Sequence, residues 1–251
     1  MGVILLALIA DGLSFISFVT ASFEQTLTFE GNILNGNLVA FIILQMLIIQ
    51  IPLLVALVTG DLVSGEAASG TIRMLVTKPI SRTNLLLSKF IAGGVYTFCI
   101  VVWLGFMAVV VGKFLFGPGD LMVLNSDNLV ILQQDDVNWR YACGFIIAFL
   151  ALLTVSSLSI CLSCFTDNSI GPIVATMSVI ILFTIIGTLD VRIFDNVRPY
   201  LFTTHMASWR SFFEVPLPVK EISKSVIILL GHNILLIGIS IVKFNRKDIT
   251  S

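Results

Sequence analysis

Residues 60–89 read GDLVSGEAASGTIRMLVTKPISRTNLLLSK, a polar stretch with Asp61, Glu66, Arg73, Lys78, Arg82 and Lys89 between two apolar runs, 38–59 and 90–116. A helix needs about 20 apolar residues to cross the hydrocarbon of a bilayer, and both flanking runs are long enough. A charged segment held between two such runs is an aqueous connection between two membrane crossings.

Working outward, four more runs of comparable length follow the same logic: 2–23, 141–165, 170–189 and 225–242. Only a helix satisfies its own backbone polar groups over such a length in lipid. The expected fold is therefore all-α, a polytopic membrane protein of six transmembrane helices in one domain over residues 1–251. The composition agrees. Of the residues, 57% are hydrophobic and 12% charged, and the mean hydropathy is +1.04. An average soluble domain is about 25% charged. The net charge of −1 gives no basic field for phosphates, so no nucleic-acid partner is expected. The four cysteines, Cys99, Cys143, Cys161 and Cys164, all lie in apolar runs and read as small core residues rather than a disulfide framework. The first run has no charged leader and no evident small-residue cleavage site, so no cleavable signal is expected.

Lys and Arg in short loops set the orientation. They are concentrated at Arg73, Lys78, Arg82 and Lys89 and again at Lys243, Arg246 and Lys247. The connection between the first two runs has Glu24 and Glu30 without a cation, and residues 117–140 hold four Asp against one Arg. The expected topology puts residues 60–89 and both termini in the cytoplasm. Residues 190–224 dissent, with Arg192, Arg198, Arg210, Lys220 and Lys224 on the outer side. Within that segment Tyr200, Phe202, His205, Trp209, Phe212 and Phe213 mix rings with polar groups. The mixture predicts a short interfacial or partly re-entrant helix, with an ordinary outer loop as the alternative.

Within 60–89, Asp61 is expected near a helix N-terminus, where its charge offsets the dipole. Gly65 and Gly70 allow a turn or a close backbone approach, with Glu66 between them as the charged contact. Thr71 is expected to cap the following turn. Pro79 biases Lys78 toward extended backbone, and Ser81, Thr83 or Asn84 caps the next helix. Arg82 and Lys89 are placed to reach lipid phosphates.

The string Gly65-Glu66, Gly70-Thr71, Leu75, Pro79-Ile80-Ser81-Arg82 and Lys89 resembles the signature of the ABC type-2 transporter permease family. The subgroup it resembles contains the nitrous-oxide-reductase maturation permease and the sodium and bacitracin efflux permeases. The resemblance extends to the six-span layout, the basic tail Phe244-Asn245-Arg246-Lys247 and a membrane-dipping element before the last span. It departs at the start, where family members usually carry a charged amphipathic helix and this chain enters its first apolar run at Gly2. The resemblance implies a permease subunit of an exporter or maturation-factor transporter in a prokaryotic plasma membrane, working as a dimer of permease chains. A separate ATPase, which would hold the ATP and Mg, is implied to dock on residues 60–89 through a short coupling helix. Asp61, Gly65, Glu66, Gly70 and Thr71 would couple, with Pro79, Ser81 and Arg82 shaping the exit. The chain itself has no G-x4-G-K-[ST] phosphate loop, no cofactor motif and no catalytic constellation, so it is not expected to be an enzyme.

Polar groups inside the apolar runs need partners. A charge at membrane depth costs about 2.5–3.5 kcal/mol on insertion scales, which singles out Asp11, as a pathway or salt-bridge group or as a group near a surface. Gln45, Gln50, His232 and Asn233 are neutral polar groups in apolar runs, and Ser156, Ser159 and Ser163 share one face of the fourth run. They either line a pathway or join helices. His232 has no second ligand at i±3 or i±4 and is not a metal site. The competing function is an ion-coupled secondary carrier that uses Asp11 and His232.

Overall fold

The computed structural model describes residues 35–45, 50–71, 80–124, 129–189 and 191–246. Among them five helices are long and apolar enough to cross a membrane. They are α2 (Gln50–Ala68), α3 (Arg82–Phe116), α4 (Gln134–Ser163), α5 (Ile170–Thr188) and α7 (Val219–Arg246). A shorter apolar helix, α1 (Gly36–Gln45), precedes them, and α6 (Phe202–Met206) lies between α5 and α7. The expected run 2–23, with Asp11, lies outside the described residues.

Several boundaries have a local cause. Gly70 ends α2 with φ +74, a left-handed conformation that glycine adopts without penalty. Ser81 caps α3, its Oγ accepting from the Asn84 N–H at 3.2 Å. Of the three capping candidates it is therefore Ser81 that does the work. Asp135 and Asp136 lie in the first turn of α4, and Lys243 and Arg246 in the last turn of α7, the signs the helix dipole favours. α3 is one 35-residue helix, about 52 Å long at 1.5 Å per residue. It starts at Arg82, earlier than the expected 90, and widens into a π-helical stretch over Phe106–Val111.

The expected all-α fold needs one correction. β1 (Leu121–Leu124) and β2 (Leu129–Leu132) form an antiparallel hairpin with Leu121 opposite Leu132. Both of these leucines are buried. Two apolar stretches of four residues each, between Gly-Pro-Gly and Gln-Gln, carry too little signal to separate a strand from a loop.

α4 is the central helix. Of its apolar window 61% is buried, against 17% for α3 and α5 and 22% for α7, and α2, α3, α5 and α7 all pack on it. The two ends of the bundle differ. At one end the hairpin and the α5–α7 connection fold over α4. The connection consists of short helical turns at Arg192–Phe194, Arg198–Tyr200, α6 and Ser208–Phe213. Trp209 and Phe213 are buried there against Phe41 and Tyr141. Arg140 fastens the cover by donating to the carbonyls of Phe212 at 2.6 Å and Glu214 at 3.2 Å. Tyr141 donates to the Asn37 carbonyl at 2.6 Å, and the Gly36 N–H donates to Gly117 at 2.9 Å. The segment is thus a packed part of the bundle and not an open loop. Two of its five cations are bound within the fold: Arg198 pairs with Asp195 and Arg210 donates to Gln45. The opposite end carries residues 60–71, the start of α3 and the end of α7.

Candidate functional site

The polar stretch does not form a separate short helix within its described part. Residues 60–68 continue α2 without a break, because no residue between Pro52 and Gly70 stops a helix. Asp61 is therefore not near a helix N-terminus but past the midpoint of α2, exposed to solvent. Gly65 lies one turn on, and a β-carbon there would collide with the Asp61 carboxylate. Thr71 caps backward, its Oγ1 donating to the Glu66 carbonyl at 3.3 Å. Ser69 Oγ donates to the same oxygen at 3.3 Å. Two hydroxyls thus satisfy a carbonyl that the helix end leaves without an N–H. Pro79, Arg73 and Lys78 lie outside the described residues.

Glu66 and Lys89 form an ion pair across α2 and α3. Lys89 therefore turns into the protein and not out to lipid. The pair joins the two arms of the polar stretch 23 residues apart in sequence. Arg82 Nη1 donates to the Asn245 carbonyl at 3.3 Å, and Asn245 Nδ2 donates to Thr83 Oγ1 at 3.3 Å. The end of α7 is thereby tied to the start of α3. Beneath these contacts Val63, Leu86, Phe90, Ile160, Cys164 and Phe244 form a small core of their own. Phe244, part of the polar tail in the sequence, is 2% exposed. Residues 60–89 and the basic tail thus share one end of the bundle.

The serine face of α4 joins this block to the bundle. Ser163 Oγ donates to the Gly60 carbonyl at 2.6 Å and accepts from the Ser64 N–H at 2.8 Å. Ser159 Oγ donates to the Ala56 carbonyl at 3.0 Å. Ser156 lies against Gly93 of α3, where a β-carbon would meet its Oγ at 2.7 Å and Ile160 Cδ1 at 3.0 Å. Small residues let the backbones approach, and hydroxyls bridge them. Of the two readings of these serines, the packing one describes their contacts.

The remaining polar groups are placed as follows. Asn233 is buried, accepting from Ser157 Oγ at 2.7 Å and donating to Thr154 Oγ1 at 2.7 Å, which knits α7 to α4. His232 Nδ1 lies 2.9 Å from the Ile228 carbonyl of its own helix, and its ring packs on Phe202. Gln45 accepts from Arg210. Gln50 Oε1 is buried without a hydrogen-bond partner among the described residues. Of the cysteines, Cys161 and Cys164 are buried, but Cys99 is exposed on the outer face of α3, unlike the core position expected.

Sequence reasoning missed the Glu66–Lys89 pair and the burial of Phe244. The signal for the first was present: unlike charges near the facing ends of two consecutive helices can meet across them. For Phe244 the signal was a bulky ring in an otherwise polar tail. Residues 4–250 match the model of a family described as "Protein of unknown function (DUF2705)". No curated protein matches the chain.

Proposed function

We propose that this chain, which belongs to the DUF2705 family, is the permease subunit of an ATP-driven transporter, moved by a separate ATPase subunit. The ATPase docks at the end of the bundle that carries Asp61, Glu66 and Thr71, and that end faces the cytoplasm. The observation that carries this reading is the Glu66–Lys89 pair. It closes α2 and α3 into one block to which α7 is also tied through Arg82 and Asn245. A push on this end is delivered to three helices together instead of being absorbed by a loose loop. Rigid elements that move as a unit are what a lever between an ATPase and a membrane bundle requires. Exposed Asp61, Ser69, Thr71, Ile80 and Ser81 offer the docking surface, with Gly70 setting the turn.

The reading implies two permease chains with two ATPase chains and a cell-membrane location. The turns over Arg192–Phe213 would lie at the outer interface. An exporter or maturation-factor role is part of the same proposal. The alternative, a carrier using Asp11 and His232, gains no support from His232, whose ring is engaged with its own helix and with Phe202. The test is co-expression with the ATPase encoded beside this chain. The proposal expects the two to co-purify and the permease to change the rate of ATP hydrolysis. Transport that follows an ion gradient and ignores ATP would overturn it.

A further inference from the structure

We propose that the groove between α3 and α4 seats one acyl chain of an anionic phospholipid, with its phosphate held at Lys113. The groove opens where α3 widens into its π-helical stretch. It has a volume of 480 Å³ and is lined by Phe98, Val102, Phe106, Val109, Phe145 and Phe149, among others. That volume lies within the roughly 300–1,000 Å³ range of ligand sites. Gly105 forms part of the wall, where a β-carbon would lie 3.4 Å from the Phe145 ring. The lining is apolar except near Asn138, since the Tyr141 hydroxyl turns away to the Asn37 carbonyl.

Two observations choose the occupant. The first is length. From Phe98 to Val110 the groove follows α3 for about 18 Å at 1.5 Å per residue, close to the depth of one leaflet, about half of a ~30 Å hydrocarbon core. The second is charge. Lys113 stands one turn above Val110 at the same end as Asn138, and its ammonium donates to the neutral Asn138 Oδ1. No carboxylate pairs with it among the described residues. The neighbouring acids are largely engaged: Asp136 accepts from Trp139 at 2.5 Å and from Arg140 at 2.8 Å, and Asp120 accepts from the Gln134 N–H at 3.1 Å. Asp120 and Asp135 are both exposed at this end, and neither forms an ion pair with Lys113 among the described residues. A cation at headgroup depth above an apolar slot matches a lipid that carries a negative phosphate. This inference does not depend on the transport reading.

The test is native mass spectrometry of the full chain reconstituted with phosphatidylglycerol or phosphatidylcholine and then taken into mild detergent. The wild type is expected to retain one phosphatidylglycerol in preference to phosphatidylcholine. Lys113→Gln should lower that preference about fivefold, the effect of one cation near a phosphate layer. Val109→Trp should fill the slot and abolish retention of both lipids. Lys113→Gln changes only the helix end, so it keeps the test decisive if Val109→Trp misfolds. Equal retention of the two lipids by the wild type, unchanged preference in Lys113→Gln, or crosslinking of a second chain into the groove from Phe106 would overturn the proposal.

Discussion

Ser163 sits astride one rung of α2, its hydroxyl donating to the Gly60 carbonyl and accepting from the Ser64 N–H at 2.8 Å. A side chain inserted in the i→i−4 ladder is a known cause of helix bending. Here it pins the last two turns of α2 to α4, directly below the ion pair that joins α2 to α3. Ser163→Ala leaves buried backbone groups to close on each other or stay unsatisfied. The expected cost is about 1–2 kcal/mol, read as a lower thermal midpoint in detergent. Ser178→Ala, an exposed serine on α5 that bonds only the Val174 carbonyl of its own helix, should cost less than half of that.

The glycines of α3 give a sharper contrast. Gly93 faces Ser156 and Ile160 at distances too short for a β-carbon, whereas at Gly94 the nearest atom would be Leu153 Cδ1 at 3.4 Å. Gly93→Ala is expected to destabilise the bundle by about 1–3 kcal/mol through overpacking. Gly94→Ala should be neutral or slightly stabilising, because alanine loses less backbone freedom in a helix. Paired thermal melts of the two variants check the difference, and equal melts would contradict the assigned packing of α3 on α4.

Glu66 and Lys89 separate structure from docking. Their side chains are 29% and 18% exposed, so the pair is expected to add no more than about 1 kcal/mol of stability. Glu66→Lys should therefore fold yet lose ATPase binding or stimulation, because two cations would force α2 and α3 apart. The exchange Glu66→Lys with Lys89→Glu restores attraction. If the pair acts by holding the block together, the exchange recovers at least half of the coupled ATPase activity. Failure to recover would mean that Glu66 touches the ATPase itself.

His205 supplies a pH dependence. Its Nε2 lies 2.9 Å from the Pro199 carbonyl and its Nδ1 2.9 Å from Ser225 Oγ. The carbonyl can only accept, so Nε2 donates and Ser225 can donate to a neutral Nδ1. Burial holds this imidazole below its ordinary value of 6.5, and the charges of Lys224 and His232 add to that effect. The folded state thus prefers neutral His205. Its contribution is complete above pH 6.5 and is lost as pH falls from there through the lowered folded value, because the unfolded chain takes up the proton first. Thermal midpoints between pH 7.5 and 5 should fall more for the wild type than for His205→Gln.

How much of this was legible in the sequence depends on the kind of signal. Long apolar runs made the helices readable, since 170–189 matches α5 to within a residue and 225–242 lies inside the longer α7. The serines at 156, 159 and 163 were recognisable as one face. The ends were less legible. Residues 61–68 read as a separate short helix because they are polar, but a helix that leaves the apolar layer continues until something stops it, and here that is Gly70. The hairpin was too short to show a period. Trp209 and Phe213 suggested an interface, yet their burial depends on Arg140 and Tyr141, about 70 residues away, and no local pattern carries that information.

The central claim is that the end of the bundle carrying Glu66 and Lys89 faces the cytoplasm, where an ATPase can reach it. Ser69 is exposed at that end. The direct measurement is labelling of Ser69→Cys by a membrane-impermeant maleimide, in a chain whose four native cysteines are replaced. The account predicts no labelling in intact cells and full labelling once the membrane is permeabilised. Full labelling of intact cells would contradict it.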